Sequence, residues 1–312
     1  MAYSRMLAVI KNKSKMRIHE IRILAIMFIM SLNSCKTENS EMSTIDFSTE
    51  ENLYNGYNLP GLTPEPFVPK MNSSQEWKLG NTDSMDMDEF YFTYTGDNPF
   101  EPLVVVYRNE GNSYKVNKYS FNHNPSDSNI LYSRWNYIER TNFGWSKIKS
   151  LGPMFDREDW GIMVMSISSK GTIVFDDYKS NDVIRMSRII DGKREEPRLL
   201  GKHINTGKWT CHPFIAPDES YLIWGSERED GYGKSDNYIS FRQQDDSWGP
   251  AINMGDKINS ELVENGAHLT PDGKYLLFSR HEEKVKDDGS TYWESIKYWV
   301  DAGIIETLRP KQ

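Results

Sequence analysis

The residues of this sequence best suited to hold a ligand are two histidines and two tryptophans. His203 and His212 flank Trp209 in the segment HINTGKWTCHPF, and Trp160 precedes another short apolar segment. Histidine changes charge near neutral pH and binds metals, whereas a tryptophan ring can stack on a sugar. No third ligand and no metal-ligand spacing accompanies the histidines. We therefore take these four as candidate ligand-binding residues and expect neither a metal nor a cofactor.

The longer motifs of catalytic sites are absent from the sequence. It contains no GxSxG, HExxH or CxxC motif and no phosphate-binding loop. Its carboxylates are too many and too dispersed to nominate the pair that a glycosidase needs. The sequence therefore assigns no catalytic residue.

The N-terminus has the pattern of an export signal. Basic residues precede an apolar run at residues 23–32, which is short for a membrane span and typical of a signal peptide. The run leads into the tetrapeptide LNSC, which ends at Cys35 and resembles a lipobox. This resemblance implies that Cys35 is the lipidated first residue of a bacterial lipoprotein. The alternative is an ordinary secretory signal that happens to contain a cysteine.

The segment after Cys35 is polar, acidic and without periodicity, as in a flexible tether. Three parts are therefore predicted: a lipoprotein signal peptide at 1–34, a tether at 35–60 and a folded domain at 61–312. We expect a location in the envelope of a Gram-negative bacterium, on the periplasmic face or in the outer membrane. With Cys35 lipidated, Cys211 would stand alone as a small packed residue.

The charge of the chain limits its partners. Six of its 37 basic residues lie in residues 1–34, which leaves 31 basic against 44 acidic residues in the remainder. Such a body repels a phosphate backbone, so nucleic acid is not an expected partner. We expect a monomeric body that touches the membrane only through its N-terminal lipid.

The elements that must position the candidate residues are repeats. TPDGKYLLFSR (270–280) and APDESYLIWGS (216–226) match without a gap, 54 residues apart. Weaker copies occur at 125–134, 168–175 and 86–94. In each clear copy, a Pro-Asp turn leads into a short strand of aliphatic and aromatic residues. The sequence therefore predicts an internal duplication of a β unit.

Neighbouring segments complete each unit with further short strands, among them GIMVM (161–165), DNYISF (236–241) and KYWVDA (297–302). Four short antiparallel strands in about 40–50 residues are typical of a β-propeller blade. We predict an all-β propeller of four-stranded blades, five in number, with six as the alternative. An N-terminal strand within residues 66–80 should pair with the C-terminal strands and close the ring.

The Pro-Asp turn and strand, followed by the strand KYWVDA, resemble the WD-like repeat of TolB-type periplasmic proteins. The closing segment IKYWVDAGIIETLRP resembles the ending of Bacteroidetes lipoproteins that carry such repeats. This resemblance implies a lipid-anchored propeller that binds an envelope protein or an oligosaccharide without catalysis. The alternative function is a carbohydrate-active enzyme, a polysaccharide lyase or glycosidase, acting at the mouth of the channel.

Overall fold

The computed structural model describes residues 57–67, 78–80, 89–94, 103–109, 114–141 and 144–311. The predicted signal peptide and the lipidation site Cys35 lie outside these residues. Among the residues it describes, no helix is long and apolar enough to cross a membrane. The chain from Gly56 to Gln312 is one compact unit.

The described chain is built from short antiparallel strands in five sheets of four or five strands. A two-residue strand, β1 (Glu65–Pro66), comes first in the chain. The first sheet contains β2 (Lys78–Gly80), β3 (Glu89–Tyr94), β4 (Leu103–Asn109) and β5 (Tyr114–Ser120). The second contains β6 (Asn122–Asn124), β7 (Asp127–Ser133), β8 (Asn136–Thr141), β9 (Gly144–Trp145) and β10 (Lys149–Ser150).

The other three sheets have four strands each and carry the candidate residues. The third contains β11 (Met165–Ile167), β12 (Ile173–Asp177), β13 (Val183–Ser187) and β16 (Arg198–Leu199), with a side hairpin of β14 (Ile189–Ile190) and β15 (Lys193–Arg194). The fourth contains β17 (Lys208–Ile215), β18 (Tyr221–Glu227), β19 (Asp236–Phe241) and β20 (Ile252–Asn253). The fifth contains β21 (Val263–Leu269), β22 (Tyr275–Val285), β23 (Thr291–Asp301) and β1. A 3-10 turn (Tyr178–Ser180) follows β12, and a short helix α1 (Ile304–Thr307) follows β23.

The repeat phrase forms the same turn in both of its clear copies. The N–H of Thr270 donates to the carbonyl of Tyr275 over 2.8 Å, and Ala216 donates to Tyr221 over 3.0 Å. Gly273 has a φ of 73° at the turn exit, and Glu219 takes the same left-handed conformation with a φ of 67°. The copy at 216–226, which has no glycine in its turn, therefore keeps the same turn, although left-handed backbone is strained at Glu219 because it has a Cβ.

Glu219 is held in this conformation by bonds to two other sheet positions. Its carboxylate accepts a hydrogen bond from Ser168 Oγ over 2.7 Å and from Arg242 over 3.0 Å. The side chain is buried, and these partners offset the strain of the left-handed backbone.

Apolar side chains pack between successive sheets. Ile223 and Ile239 of the fourth sheet pack with Leu276, Phe278 and Val300 of the fifth. A second cluster joins the third sheet to the fourth through residues that include Val174, Ile184, Leu222, Trp224 and Tyr238. The fourth sheet thus buries both of its faces against its neighbours, as expected in a propeller-like ring of small sheets. The all-β prediction is confirmed.

The last sheet takes its outer strand from the N-terminal part of the described chain. Glu65 pairs with Trp299 and Pro66 with Tyr298. The N–H of Phe67 continues the pairing by donating to the carbonyl of Lys297 over 2.8 Å. The expected pairing of an N-terminal strand with the C-terminal strands therefore occurs at Pro66, whereas Lys78–Gly80 pairs with β3 instead.

One predicted strand is shorter than expected. We predicted an inner strand over GIMVM (161–165), but β11 begins only at Met165. The N–H groups of Gly161, Met163 and Val164 donate to side-chain carboxylates rather than to a neighbouring strand. These side-chain acceptors replace the β ladder and leave the segment irregular.

Candidate functional site

Two adjacent carboxylates fix the irregular segment before β11. Asp177 accepts a hydrogen bond from the N–H of Gly161 over 3.0 Å. Asp176 accepts from the N–H groups of Met163 and Val164 over 2.8 and 2.9 Å through one oxygen. Its other oxygen accepts from the N–H of His212, in the next sheet, over 3.0 Å. One side chain therefore joins the third sheet to the fourth.

Asp176 carries out this role almost without contact with water. Its exposed fraction is 1%. Burial raises its pKa above the ordinary aspartate value, although the three N–H donors and the nearby His212 act in the opposite direction. Both carboxylate oxygens are engaged by backbone groups, which is the arrangement of a positioning residue.

Trp160, one of the four candidates from the sequence, forms a wall of a cleft and is only 9% exposed. The Arg157 guanidinium lies 4.2 Å from its ring centroid and that of Arg185 lies 5.1 Å away. The ring also packs at a centroid distance of 5.2 Å from Phe175. Because cations and an aromatic ring cover it, Trp160 supports the cleft and has little free face for a ligand.

The cleft has a volume of about 210 Å³ and lies between loops of the second and third sheets. Tyr178 is its exposed aromatic residue, with 49% of its surface open to solvent. A Cβ added at Gly161 would lie 2.6 Å from three carbons of the Tyr178 ring. The absence of a side chain at Gly161 therefore lets this ring lie against the backbone.

Charged side chains line the same cleft with both signs. Arg134 and Lys179 contribute cations, and Asp156 and Glu158 contribute carboxylates. Lys179 Nζ donates to the backbone carbonyl of Glu158. Within the described chain no hydrogen bond or ion pair engages the Arg134 side chain. The cleft thus combines one unpaired guanidinium with aromatic walls, a composition suited to a polar ligand with apolar faces.

Trp209 and His212 lie together on an irregular part of β17. The register against β18 shifts twice, between Lys208 and Cys211 and between Cys211 and Phe214. Trp209 and His212 both take left-handed backbone, with φ values of 52° and 50°. Left-handed backbone is strained at residues other than glycine. The hydrogen bond from the His212 N–H to the Asp176 carboxylate helps to hold His212 in this conformation. The bulge leaves the Trp209 side chain 62% exposed.

A second histidine, His281, lies near His212. Burial lowers the pKa of His281, and the nearby His212 lowers it further. The Nε2 of His281 lies 3.0 Å from Asn265 Oδ1, the acceptor that assigns the ring proton to Nε2. In the described chain no group of three or more His, Cys, Asp or Glu residues is arranged to hold a metal ion.

His203 lies apart from the bulge, in the loop between the third and fourth sheets. Its carbonyl accepts a hydrogen bond from Arg228 over 3.3 Å. The structure therefore brings together Trp209 and His212, and it places Trp160 in the cleft at the start of the 160–164 segment. The sequence reasoning missed Tyr178, Arg134 and Asp176.

Cys211, which we expected to be a small packed residue, has a largely buried thiol. Cys211 is a free thiol in a half-buried residue. Burial, followed by the nearby Asp176 and Asp182, raises the pKa of the thiol to about 12. A thiol of this pKa is a poor nucleophile at neutral pH, as expected of a packed residue.

Neither a protein-family model nor a curated protein matches this sequence. Among solved structures, the chain is similar to TolB from Acinetobacter baumannii at 12% identity and a TM-score of 0.34, with 73% of this chain and 57% of that chain covered. A subtype N11 neuraminidase-like protein from a flat-faced bat isolate gives 8% identity and a TM-score of 0.33, with 78% and 97% covered. A nidogen/laminin complex gives 12% identity and a TM-score of 0.29, with 70% and 65% covered. The assignment of the fold therefore depends on the strand pairing described above. The chain spans little more than half of the TolB chain.

Proposed function

We propose that this protein is a lipid-anchored envelope propeller that binds an oligosaccharide without chemical conversion. The observation that carries the proposal is the exposed Tyr178 ring, which lies against the backbone of Gly161 at a cleft of about 210 Å³. An aromatic ring with one face packed on the backbone has less freedom to lose when a sugar stacks on its other face. Arg134 and the carboxylate of Glu158 in the same cleft supply partners for hydroxyl or acidic groups of the sugar.

A second aromatic surface favours an extended ligand over a single sugar. Trp209, 62% exposed, lies on the bulge of β17. The segment 160–164 is bonded to that bulge through Asp176, so the cleft and the bulge belong to one connected framework. We propose that Tyr178 and Trp209 bind different residues of one oligosaccharide chain.

The cleft and the bulge support binding over catalysis. Asp176 has the raised pKa that a general acid needs, but its two oxygens accept three backbone hydrogen bonds at 1% exposure. A carboxyl held in this way cannot reach a glycosidic oxygen. An enzyme would require an acid in the open cleft with a similarly altered pKa.

The test is calorimetric titration of the full chain with neutral and uronate-containing oligosaccharides. Loss of one stacked ring is expected to weaken binding about tenfold, from the worth of an aromatic contact and its buried area. Tyr178→Ala and Trp209→Ala should each show this loss. Tyr232→Ala is the matched control, because Tyr232 is an exposed tyrosine of another loop with 52% of its surface open. Equal affinity of all three variants, or turnover of the sugar, would contradict the proposal.

The anchor and the number of blades are part of the same proposal. The LNSC sequence supports lipidation at Cys35, and the five described sheets support five blades. Labelled palmitate should be incorporated into the wild-type chain in a Gram-negative host but not into Cys35→Ala. Release of both forms into the soluble periplasm would contradict the anchor.

A further inference from the structure

The last hairpin of the chain is longer than the sheet that contains it. β22 and β23 pair over eleven residues each, from Tyr275 with Asp301 to Val285 with Thr291. The strand β21 pairs with β22 only as far as His281, and the pairing of β1 with β23 extends through the Phe67 N–H to Lys297. In the described chain no third strand covers the rest, so residues 282–295 form a two-stranded projection, the terminal ribbon.

The corresponding hairpin of the fourth sheet has no such projection. β18 and β19 pair over six residues, from Tyr221 with Phe241 to Ser226 with Asp236. The repeat therefore accounts for the base of the last hairpin and not for its outer part. An isolated two-stranded ribbon has little stability of its own, and both of its edges present unpaired backbone groups.

Local bonds nevertheless hold the terminal ribbon in a defined form. The N–H of Lys286 donates to the carbonyl of Ser290 over 2.8 Å, and Gly289 takes a φ of 81° in the turn. Lys234 of the preceding sheet lies 3.8 Å from a Glu283 oxygen and 5.8 Å from the Trp293 ring centroid. The terminal ribbon is thus a formed element tied at one point to the neighbouring sheet.

Its surface is apolar and acidic together. Val285, Tyr292 and Trp293 are 70%, 43% and 54% exposed. Residues 282–295 contain five acidic and two basic side chains, a net charge of −3. Exposed apolar side chains beside free strand edges are typical of a surface that another chain covers.

The net charge of the terminal ribbon indicates which kind of chain covers this surface. Two copies of the terminal ribbon would bring two charges of −3 together, so pairing with a second copy is disfavoured. A basic segment gains from the same charges and can hydrogen-bond to the free edge. We propose that the terminal ribbon binds an extended, basic segment of a partner protein, which adds to it as a further β-strand.

The test uses the full chain and a synthetic peptide of ten residues with alternating lysine and valine. Its affinity is followed by fluorescence anisotropy, and amide hydrogen exchange is followed at residues 291–295. We expect binding at least tenfold tighter than that of a peptide alternating glutamate and valine. We also expect slower exchange at the ribbon amides. A lysine-valine peptide with alternate amides N-methylated cannot form the ladder and should bind at least tenfold more weakly.

Variants assign the binding to the terminal ribbon. Trp293→Ala and Glu294→Lys should each weaken binding at least fivefold while the thermal midpoint stays unchanged, because both side chains are exposed. Leu199→Ala is the matched control, since Leu199 is also 54% exposed and lies on the outer strand of the third sheet.

Three results would overturn the proposal. One is failure of the basic peptide to bind, and another is equal binding of the N-methylated peptide. The third is a dimer of the chain in sedimentation that Trp293→Ala abolishes, which would identify a second copy as the occupant. Oligosaccharide binding is expected to be the same in the ribbon variants and in the wild type, so this proposal and the proposed glycan site are tested separately.

Discussion

Replacing Asp176 by alanine removes the acceptor for three backbone N–H groups in two sheets. Met163 and Val164 lie before β11, and His212 lies in β17. The carboxylate is 1% exposed, so little water replaces it without rearrangement. The variant therefore tests whether this side chain joins the third and fourth sheets at the candidate site.

The expected loss of stability follows from the number of backbone N–H donors that are left without an acceptor. A buried donor without a partner costs about 1–3 kcal/mol. Water entering the space left by the carboxyl group satisfies part of the loss, so the lower end applies to each donor. The free energy of unfolding should then fall by about 3–5 kcal/mol, a large share of the roughly 5–15 kcal/mol of a typical domain.

Urea unfolding of the full chain measures this change, and amide exchange locates it. Exchange at Met163, Val164 and His212 should accelerate more than at the amides of β12, the strand that carries Asp176. Asp245→Ala is the control, because Asp245 accepts from Ser247 in an exposed turn. A loss below about 1 kcal/mol for Asp176→Ala, with unchanged exchange at the three amides, would refute the reasoning.

The same variant has a pH dependence whose sign is fixed by the pKa. Burial raises the folded-state pKa of Asp176 above its value in the unfolded chain. The folded state therefore binds the proton more tightly. Stability from this group is fully present below the ordinary aspartate pKa of about 4, and it is lost as pH rises through the raised folded pKa. The cost of Asp176→Ala should accordingly be smaller at neutral pH than at low pH, and the opposite trend in urea titrations would contradict the assignment.

Two further predictions concern the cleft and the thiol. Gly161→Ala places a Cβ 2.6 Å from the Tyr178 ring and should weaken oligosaccharide binding about as much as Tyr178→Ala. Gly201→Ala is the control, because nothing lies within 4 Å of its added Cβ, and it should leave binding unchanged in calorimetry. Burial raises the pKa of the Cys211 thiol to about 12, so little of it is thiolate at mildly alkaline pH. In a Cys35→Ser chain, iodoacetamide should therefore alkylate Cys211 roughly 100-fold more slowly when the chain is folded than in urea. Equal rates by mass spectrometry would show that the thiol is open to the reagent.

The sequence predicted the parts of the fold that are local and repeated. A Pro-Asp turn followed by a short continuous run of apolar residues predicts a turn and a strand within about ten residues, so the turns at 216–221 and 270–275 and the strands after them could be predicted. DNYISF was predicted at 236–241, and β19 has those bounds. The packing of one sheet on the next follows from the same pattern, because a sheet with two apolar faces must cover both.

The candidate site was harder to predict because it depends on contacts between sheets. Tyr178 owes its orientation to a glycine 17 positions earlier, and Asp176 acts on a residue 36 positions later. Neither relation has a sequence spacing of its own. Arg134 appeared only as the last residue of the weak repeat copy at 125–134, whereas the structure places it in the cleft.

One signal for Asp176 was nevertheless present in the repeats. The weak copy at 168–175 stops one residue before it. By the strand pairing, Asp176 stands where the next two sheets have Gly225 and Ser279. At Gly225 an added Cβ would lie 3.1 Å from Asn265 of the following sheet, so that position faces the neighbouring inner strand. A carboxylate in a position otherwise given to small residues can only be tolerated if the neighbour offers donors, and the strained backbone at His212 offers one. Comparison of repeat copies therefore identifies an inter-sheet bond when a small residue in one copy becomes charged in another.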